Sequence, residues 1–256
     1  MELAMEAARA AGNVLLAYLG GPLDVGRKSS RADLVTEADR ASEEILRERL
    51  LTALPGSGFF GEETGATAGT SGERWIVDPL DGTTNFVHGF PFFCVSIGYE
   101  RLGVVEVGVI HNPATGETFA ARRGEGATRN GSPLRVSAVE TLGEALLCTG
   151  FMPGPGGLAR NLPCFVALSD RSHAVRRVGA AALDLCYVAT GAFDGFWEYG
   201  LHPWDVAAGS LIVAEAGGRV TNADGSPFTV DGRAIAASNG RIHGELVAAL
   251  AAADRG

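Results

Sequence analysis

The chain is short of positive charge and of long apolar runs, and both shortages exclude classes of function. Its 256 residues carry 21 lysines and arginines against 30 aspartates and glutamates, a formal net charge of −9. This balance excludes a general basic surface for nucleic acid or for an anionic membrane. Its longest apolar runs also stop well before the roughly 20 residues that a membrane-spanning helix needs.

Cysteine is scarce as well. Cys94, Cys148, Cys164 and Cys186 include no C-x-x-C pair, and all lie in or beside apolar runs. We therefore expect reduced thiols in the core of a cytoplasmic protein, and neither a disulfide framework nor a zinc site. The N-terminal stretch MELAMEAARAAG lacks the basic-then-apolar pattern of a secretory signal, which agrees with a cytoplasmic location.

Lysine is nearly absent, because Lys28 is the only one in the chain. A coding bias would explain one leftover lysine. A site that needs a compact ammonium group, which a planar guanidinium cannot replace, would explain it equally well. Composition alone leaves both explanations open.

Hydrophobic periodicity predicts two long helices near the N-terminus. Residues 2–19 and 37–54 repeat apolar side chains at helical spacing. Thr36 and Asp39 fit a capping box at the start of the second helix. The small, glycine-rich stretch 64–73 predicts a loop.

The remaining pattern predicts an α+β half followed by an α/β half. Short apolar segments between 94 and 136, separated by turn signals, are typical of an antiparallel meander. After about residue 140, short strands alternate with alanine-rich helices. We expect one half at 1–138 and the other at 139–256, with the active site between them.

Three acidic groups stand at predicted ends of elements: Glu62 with Glu63, Asp78 with Asp81, and Asp205. Taken singly, each has a simple structural explanation as a solvated loop, a helix cap or a first-turn acid. Taken together, they suit Mg²⁺ better than Zn²⁺, because carboxylates without cysteine or paired histidine ligands favour hard cations.

The stretch WIVDPLDGTT joins these acids to a phosphate site. Asp78 and Asp81 flank a proline turn, so both can converge on one point, with the Leu80 carbonyl as a further oxygen ligand. Gly82 and Thr83 then offer backbone N–H groups at a predicted helix start, a position that binds phosphate. The pattern favours metal-assisted hydrolysis of a phosphate ester. A calcium-stabilised binding module shares the acids but leaves the Gly-Thr pair unexplained.

Four segments carry the motifs of one enzyme family. They are KSSRADLVTEAD at 28–39, GEE at 61–63, WIVDPLDGTTNFVHGFP at 75–91 and HPWDVAAGSLIVAEAGG at 202–218. In them the chain resembles the inositol monophosphatases of the Mg²⁺-dependent, lithium-sensitive phosphatase superfamily. After Asp-Gly it reads Thr-Thr-Asn, as these enzymes do, whereas fructose-bisphosphatases tend to read Ser-Ser-Asn.

This resemblance implies a fold and a reaction. The fold would be α+β and α/β halves layered as an α-β-α-β-α sandwich. The reaction would be hydrolysis of myo-inositol-1-phosphate by a water that Mg²⁺ activates, with two or three ions per site and no covalent intermediate. Fructose-1,6-bisphosphate, histidinol phosphate and glycerol-2-phosphate remain alternative substrates.

The resemblance also assigns metal ligands. They are Glu62, Glu63, Asp78, the Leu80 carbonyl, Asp81 and Asp205. Glu62, Asp78 and Leu80 would hold one ion, and Asp78, Asp81 and Asp205 a second. Glu63 would lie in the outer shell or near a weaker third ion.

Further roles follow from the same resemblance. Thr83 with Asp39, or Glu62 alone, would orient and deprotonate the attacking water, and Lys28 matches the family's active-site lysine. Gly82 and Thr83 would cradle the phosphate. The substrate side would be formed by Arg176, Gly179, Ala180, Glu198 and Asp205. A homodimer is implied, and some bacterial relatives act as regulatory partners of the transcription machinery.

Overall fold

The protein is described from a computed structural model that covers residues 1–21, 25–27, 34–151 and 157–253. Its helices in those ranges are α1 (Glu2–Tyr18), α2 (Glu37–Ala53), α3 (Thr83–Val87), α4 (Gly157–Arg171), α5 (Ala181–Ala189), α6 (Pro203–Glu215) and α7 (His243–Ala253). Two 3₁₀ turns lie at Leu142–Glu144 and Val230–Gly232. No helix in these ranges combines the length and the apolar character that crossing a bilayer requires.

The strands form two main sheets and one short pair. The pair is β1 (Val25–Arg27) with β2 (Leu34–Thr36). The strands of the first half are β3 (Gly58–Gly61), β4 (Gly65–Thr67), β5 (Glu73–Asp81), β6 (Cys94–Arg101), β7 (Val104–Asn112), β8 (Glu117–Arg122), β9 (Gly126–Arg129) and β10 (Ser132–Pro133). Those of the second half are β11 (Leu146–Thr149), β12 (Ala174–Arg176), β13 (Gly195–Tyr199), β14 (Arg219–Thr221) and β15 (Ala234–Ser238).

Strand order separates the halves. The eight-stranded sheet runs β10-β9-β8-β7-β6-β5-β3-β4 and is antiparallel except where β3 pairs with β5. The five-stranded sheet runs β12-β11-β13-β15-β14, with β11 parallel to both of its neighbours. Helices cover both faces of each sheet.

Alternating side chains on the strands build the layers. On β5, Trp75 and Val77 pack in the core beneath α1 and α2, whereas Ile76 joins the core that contains α5 and α6. On β13, Phe196 faces α5 and α6, and Trp197 faces α4 and α7. The order is helices, eight strands, helices, five strands, helices, which confirms the predicted α-β-α-β-α sandwich.

The helical predictions are confirmed closely at the N-terminus. α1 and α2 each end within one residue of the predicted limits. Thr36 Oγ1 accepts hydrogen bonds from the N–H groups of Ala38 and Asp39, and Asp39 Oδ2 accepts one from Thr36 N–H at 2.8 Å. This reciprocal pair is the predicted capping box. The antiparallel meander between 94 and 136 is also confirmed.

Two local predictions are wrong. The stretch 64–73 is not a loop throughout, because β4 pairs antiparallel with the otherwise open edge of β3. The second concerns Asp78 and Asp81, because both belong to the strand itself and do not follow its end. β5 continues to Asp81, with an irregular register against β6 between Asp78 and Asp81. Such a bulge lets a strand re-aim its side chains without ending.

Candidate active site

A cavity of about 320 Å³ lies where the two halves meet. The first half contributes the end of β5, the start of α3 and Glu62. The second half contributes the segment before α5, the end of β13 and the start of α6. The side chains and backbone that line it are Glu62, Asp78, Leu80, Asp81, Gly82, Thr83, Thr84, Asn85, Gly150, Phe151, Arg177, Val178, Gly179, Ala180, Ala181, Glu198, Leu201 and Asp205.

Backbone N–H groups orient the three aspartates. Asp78 Oδ1 accepts a hydrogen bond from Leu80 N–H at 2.9 Å, within the bulge of β5. Asp81 Oδ2 accepts one from Ala182 N–H at 2.7 Å, at the start of α5. Asp205 Oδ2 accepts one from His202 N–H at 2.7 Å, at the start of α6. Each carboxylate is thus fixed by main chain, as ligands to a metal usually are.

The turn after Asp81 depends on glycine. Gly82 is the N-cap of α3 and has φ +88°, in the left-handed region. A Cβ there would lie 2.9 Å from the Phe92 carbonyl oxygen and 3.1 Å from Ala180 Cβ. The turn therefore brings the first amides of α3 to the cavity, and the first amides of a helix have no intrahelical acceptor.

Thr83 joins this turn to α2. Its hydroxyl oxygen lies 3.1 Å from the Leu80 carbonyl oxygen and 3.3 Å from Asp39 Oδ1. Asp39 is fully buried, and its other oxygen belongs to the capping box. The structure thus brings together the Thr83 and Asp39 pair that the sequence predicts.

Aromatic packing anchors the start of α6. The His202 ring stacks on Trp204 with centroids 4.7 Å apart, and Trp204 meets Phe60 edge to face at 5.1 Å. Ser96 donates a hydrogen bond to the Trp204 carbonyl at 3.2 Å. Asp205 follows directly and is only 6 % exposed. Its position is therefore set by packing on both sides of the chain.

The clustered carboxylates raise one another's pKa. Burial, followed by the charges of Glu62, Asp81 and Asp205, holds the pKa of Asp78 well above its usual value. Burial also raises the pKa of Asp81 to about 7, although the N–H of Ala182 opposes the shift. The pKa of Asp205 is raised well above its usual value by burial and then by Asp81. In the absence of a cation, bringing these buried carboxylates together costs free energy.

This donor set fits a hard divalent cation. It offers carboxylate and carbonyl oxygens, the ligands that Mg²⁺ and Ca²⁺ prefer, and the described residues that line the cavity include no cysteine or histidine. Within the described ranges, no three acidic, histidine or cysteine side chains are already closed around one point. Asp78, Asp81 and Asp205 instead share one cavity and repel one another, and a cation there would relieve that repulsion.

The second half supplies the opposite wall. Glu198 on β13 is 4 % exposed, and burial followed by Asp184 raises its pKa well above the usual value. Gly179 and Ala180 lie on the same wall, as the sequence predicts. Two of the predicted site residues, Arg176 and Glu63, do not line the cavity. Arg176 points its Nη1 to the Val175 carbonyl, and Glu63 lines a separate surface pocket with Glu43. Lys28 lies outside the described residues.

Sequence reasoning missed several residues at this site. Arg177 lines the cavity, with its guanidinium carbon 5.3 Å from the centroid of the Phe151 ring. Asn85 Nδ2 donates to the carbonyls of Phe92 and Val178, at 2.7 and 3.0 Å, and so ties the halves together. Asp184 on α5 is fully buried behind the wall. The acid in the apolar run AALDLCY was a visible signal for Asp184.

Comparisons with known proteins agree with this fold. The model of the inositol monophosphatase family matches residues 1–255. An inositol-1-monophosphatase of a Synechocystis species is 44% identical over 98% of this chain and 88% of its own length. The Nus factor SuhB of Pseudomonas aeruginosa is 42% identical over 98% of this chain and 95% of its own. The crystal structure of the extragenic suppressor protein suhB of Bartonella henselae superimposes with a TM-score of 0.93 at 44% identity, over 98% of this chain and 97% of that one.

Proposed function

Because the chain belongs to the inositol monophosphatase family, we propose that it is a Mg²⁺-dependent phosphatase that hydrolyses myo-inositol-1-phosphate to inositol and phosphate. One observation carries the proposal. Four carboxylates, Glu62, Asp78, Asp81 and Asp205, line one cavity beside the first amides of α3. Metal-assisted hydrolysis of a phosphate ester needs acids that hold a metal beside amides that bind the phosphate.

The metal-holding residues divide into two sets. Glu62, Asp78 and the Leu80 carbonyl would hold one Mg²⁺, and Asp78, Asp81 and Asp205 would hold a second. Asp78 belongs to both sets, and that double role is supported by the charges of Glu62, Asp81 and Asp205, which all raise its pKa. Glu63 would contribute only to an outer shell or to a weaker third ion, since it lines a neighbouring pocket.

Protein groups handle the water and the phosphate. When bound, Mg²⁺ supplies Lewis-acid activation of water and neutralises charge on the phosphoryl group. The Thr83 hydroxyl, held beside Asp39, would orient the attacking water, or Glu62 would do so alone. The amides of Gly82 and Thr83 would receive the phosphoryl oxygens, where fixed dipoles stabilise developing charge. Asp205, which lines the same cavity, would assist the leaving oxygen.

Substrate selection falls to the second half. Glu198 and Asp205 offer acceptors for ring hydroxyls, and Gly179 and Ala180 offer a smooth surface beside them. Arg177 replaces Arg176 as the cation on this wall. A few polar groups in such a pocket fix the orientation of a ligand, and here they would bind the ring hydroxyls of inositol.

The first experiment is phosphate release with Mg²⁺ from inositol-1-phosphate, fructose-1,6-bisphosphate, histidinol phosphate, glycerol-2-phosphate and adenosine 3′,5′-bisphosphate. We expect the highest kcat/KM with inositol-1-phosphate and inhibition by lithium at millimolar concentrations. A preference for another compound would keep the chemistry and change the substrate. No metal-dependent release from any of them would contradict the proposal.

We also propose a homodimer and a cytoplasmic location. Leu158, Leu162 and Val166 form an exposed apolar stripe along α4, spaced one helical turn apart. A stripe of this kind packs well against its own copy across a two-fold axis. Sedimentation should show a dimer that Val166→Asp dissociates, whereas Val104→Asp, at an exposed valine elsewhere, leaves it intact. All four cysteines are buried thiols, which supports a reducing compartment.

A regulatory role in transcription is the second candidate function. It is supported by the relative named Nus factor SuhB, which matches nearly the whole chain. The chain's acidic charge argues for a protein partner and against a general nucleic-acid surface. Rescue of a deletion phenotype by an inactive variant such as Asp78→Asn would favour this role. Failure of that rescue would favour catalysis as the function.

A further inference from the structure

The helix α2 buries an unusual set of polar side chains. Asp39, Ser42 and Glu43 are exposed by only 0, 0 and 1 %. They lie three and four residues apart and so share one face of the helix. Burying a hydroxyl or a carboxylate costs free energy unless hydrogen bonds compensate for the lost water. A helix that only covered a sheet would present apolar residues at these positions.

Ser42 contacts the bulge that carries two metal-holding groups. Its hydroxyl donates a hydrogen bond to the Pro79 carbonyl at 2.8 Å. Pro79 lies between Asp78 and Leu80, at the point where β5 changes register. The contact spans 37 residues of sequence and fixes the height of the bulge relative to α2.

Glu43 contacts the turn that carries Glu62. Its Oε2 accepts a hydrogen bond from Glu63 N–H at 2.9 Å, and its Oε1 accepts one from Thr64 N–H at 2.8 Å. Gly61 makes room for this carboxylate, because a Cβ at that position would lie 2.5 Å from Glu43 Oε2. Both oxygens of one buried carboxylate therefore hold consecutive amides immediately after Glu62.

We propose that Ser42 and Glu43 are positioning residues for the divalent-cation site. The proposal rests on the proposed function, since it assumes that Glu62, Asp78 and Leu80 hold the ion. These three groups come from two separate segments, the turn 62–64 and the bulge 78–81. A cation site needs its donors placed within about half an ångström. One rigid helix that grips both segments sets that spacing before an ion arrives.

The test compares three variants of the full-length protein by direct binding of Mn²⁺, the probe ion, in calorimetry. Glu43→Gln leaves one acceptor oxygen where two are needed, so one amide of the turn loses its partner. Ser42→Ala removes the donor to Pro79 and introduces the best helix former. Glu48→Gln makes the Glu43 change at an exposed position of the same helix.

We expect Glu43→Gln to weaken Mn²⁺ binding by about 10- to 100-fold, the usual effect of losing a group that orients metal ligands. Ser42→Ala should weaken it less, and Glu48→Gln should leave it within about twofold of wild type. The thermal midpoint in EDTA is measured in parallel. A purely structural role would lower that midpoint and leave the Mn²⁺ dissociation constant unchanged.

An unchanged dissociation constant in both Ser42→Ala and Glu43→Gln overturns the inference alone. If Glu43→Gln does not fold, Ser42→Ala decides the matter, and unchanged binding in it is then sufficient to overturn the inference. Failure of the wild-type protein itself to bind Mn²⁺ overturns the proposed function and this inference with it. Weaker binding in Ser42→Ala and Glu43→Gln but not in Glu48→Gln supports the inference.

Discussion

Asp81 Oδ2 accepts a 2.7 Å hydrogen bond from the backbone N–H of Ala182, which lies 101 residues further along the chain. The helix that begins there, α5, has Ala180 as its N-cap and no side-chain cap of its own. A carboxylate of the first half therefore caps a helix of the second half. The same group serves the cavity and the joint between the halves.

A matched pair of variants separates these two tasks. Asp81→Asn keeps an oxygen that can accept from Ala182, whereas Asp81→Leu has similar size and no acceptor. We expect both variants to lose Mg²⁺-dependent phosphate release. Asp81→Leu should also be less stable than Asp81→Asn by about 1–3 kcal/mol, the cost of a buried unsatisfied amide. Urea unfolding in EDTA measures the difference, and equal stabilities would contradict the capping role.

Asp78→Asn should reduce kcat by at least about 100-fold, since the loss of a group that merely orients a ligand already costs 10- to 100-fold. The fold should remain intact. In EDTA the variant should be more stable than wild type, because a buried charge surrounded by Glu62, Asp81 and Asp205 is removed. Asp170→Asn, at an exposed site on α4, is the control. Retention of most of the activity by Asp78→Asn would refute the site assignment.

Wild type and Asp78→Asn should also differ in how their stability depends on pH, and the sign of that difference can be worked out. The pKa values of Asp78 and Asp205 are raised well above their usual values, and that of Asp81 is raised to about 7. The metal-free folded chain thus binds protons that the unfolded chain has released, so its stability falls as pH rises from about 4 through 7. In EDTA, the stability gap between Asp78→Asn and wild type should widen from pH 5 to pH 8. A constant gap would contradict the raised pKa of Asp78.

The two neighbouring arginines offer a direct contrast. Arg177 lines the cavity and Arg176 does not. We expect Arg177→Ala to raise KM for inositol-1-phosphate roughly two- to fivefold, a modest effect because the side chain is exposed to solvent. Arg176→Ala should leave KM and kcat unchanged. A larger effect at Arg176 would restore the assignment made from sequence.

His243 makes stability depend on pH in the opposite direction. It is 2 % exposed and held between Ser238 and Thr221, at 2.9 and 3.0 Å. Burial, followed by the charge of Arg219, lowers its pKa to about 4. Because the folded-state pKa is depressed, its contribution is complete above about pH 6.5 and is lost as pH falls towards 4. Wild type should lose up to roughly 3 kcal/mol over that range relative to His243→Gln, measured by urea unfolding at several pH values. Parallel curves for the two proteins would contradict the depressed pKa.

Short sequence patterns predicted the elements that depend mainly on contacts between residues close together in the chain. The limits of α1 and α2, the capping box of Thr36 and Asp39 and the antiparallel meander all follow from patterns a few residues long. The strand β4 did not follow, because it forms only where the edge of β3 is available to pair with. Glycine-rich sequence carries no sign of such a partner.

The sequence motifs predicted which acids form the site, but not which residues hold those acids in position. Asp78, Asp81 and Asp205 stand in motifs that can be recognised, and the structure gathers them around one cavity. Glu43 is one acid among several on a polar helix, so nothing local marks it as buried. Its role depends on a turn 20 residues away. Arg177 differs from Arg176 only in the direction the chain takes after β12.

The enclosure of α6 bears on how ions and products come and go. Ten of its 13 residues are buried, and Asp205 lies in its first turn. Glu62, by contrast, follows β3, the second strand from one edge of the large sheet, and residues 66–72 beyond it are exposed. The wall at Asp205 cannot move without disrupting the core. The turn after Glu62 is held by Glu43, whereas the exposed residues 66–72 beyond it can bend at lower cost. We therefore expect residues 66–72, on the Glu62 side of the cavity, to control how ions and products enter and leave. Asp205 should stay in place.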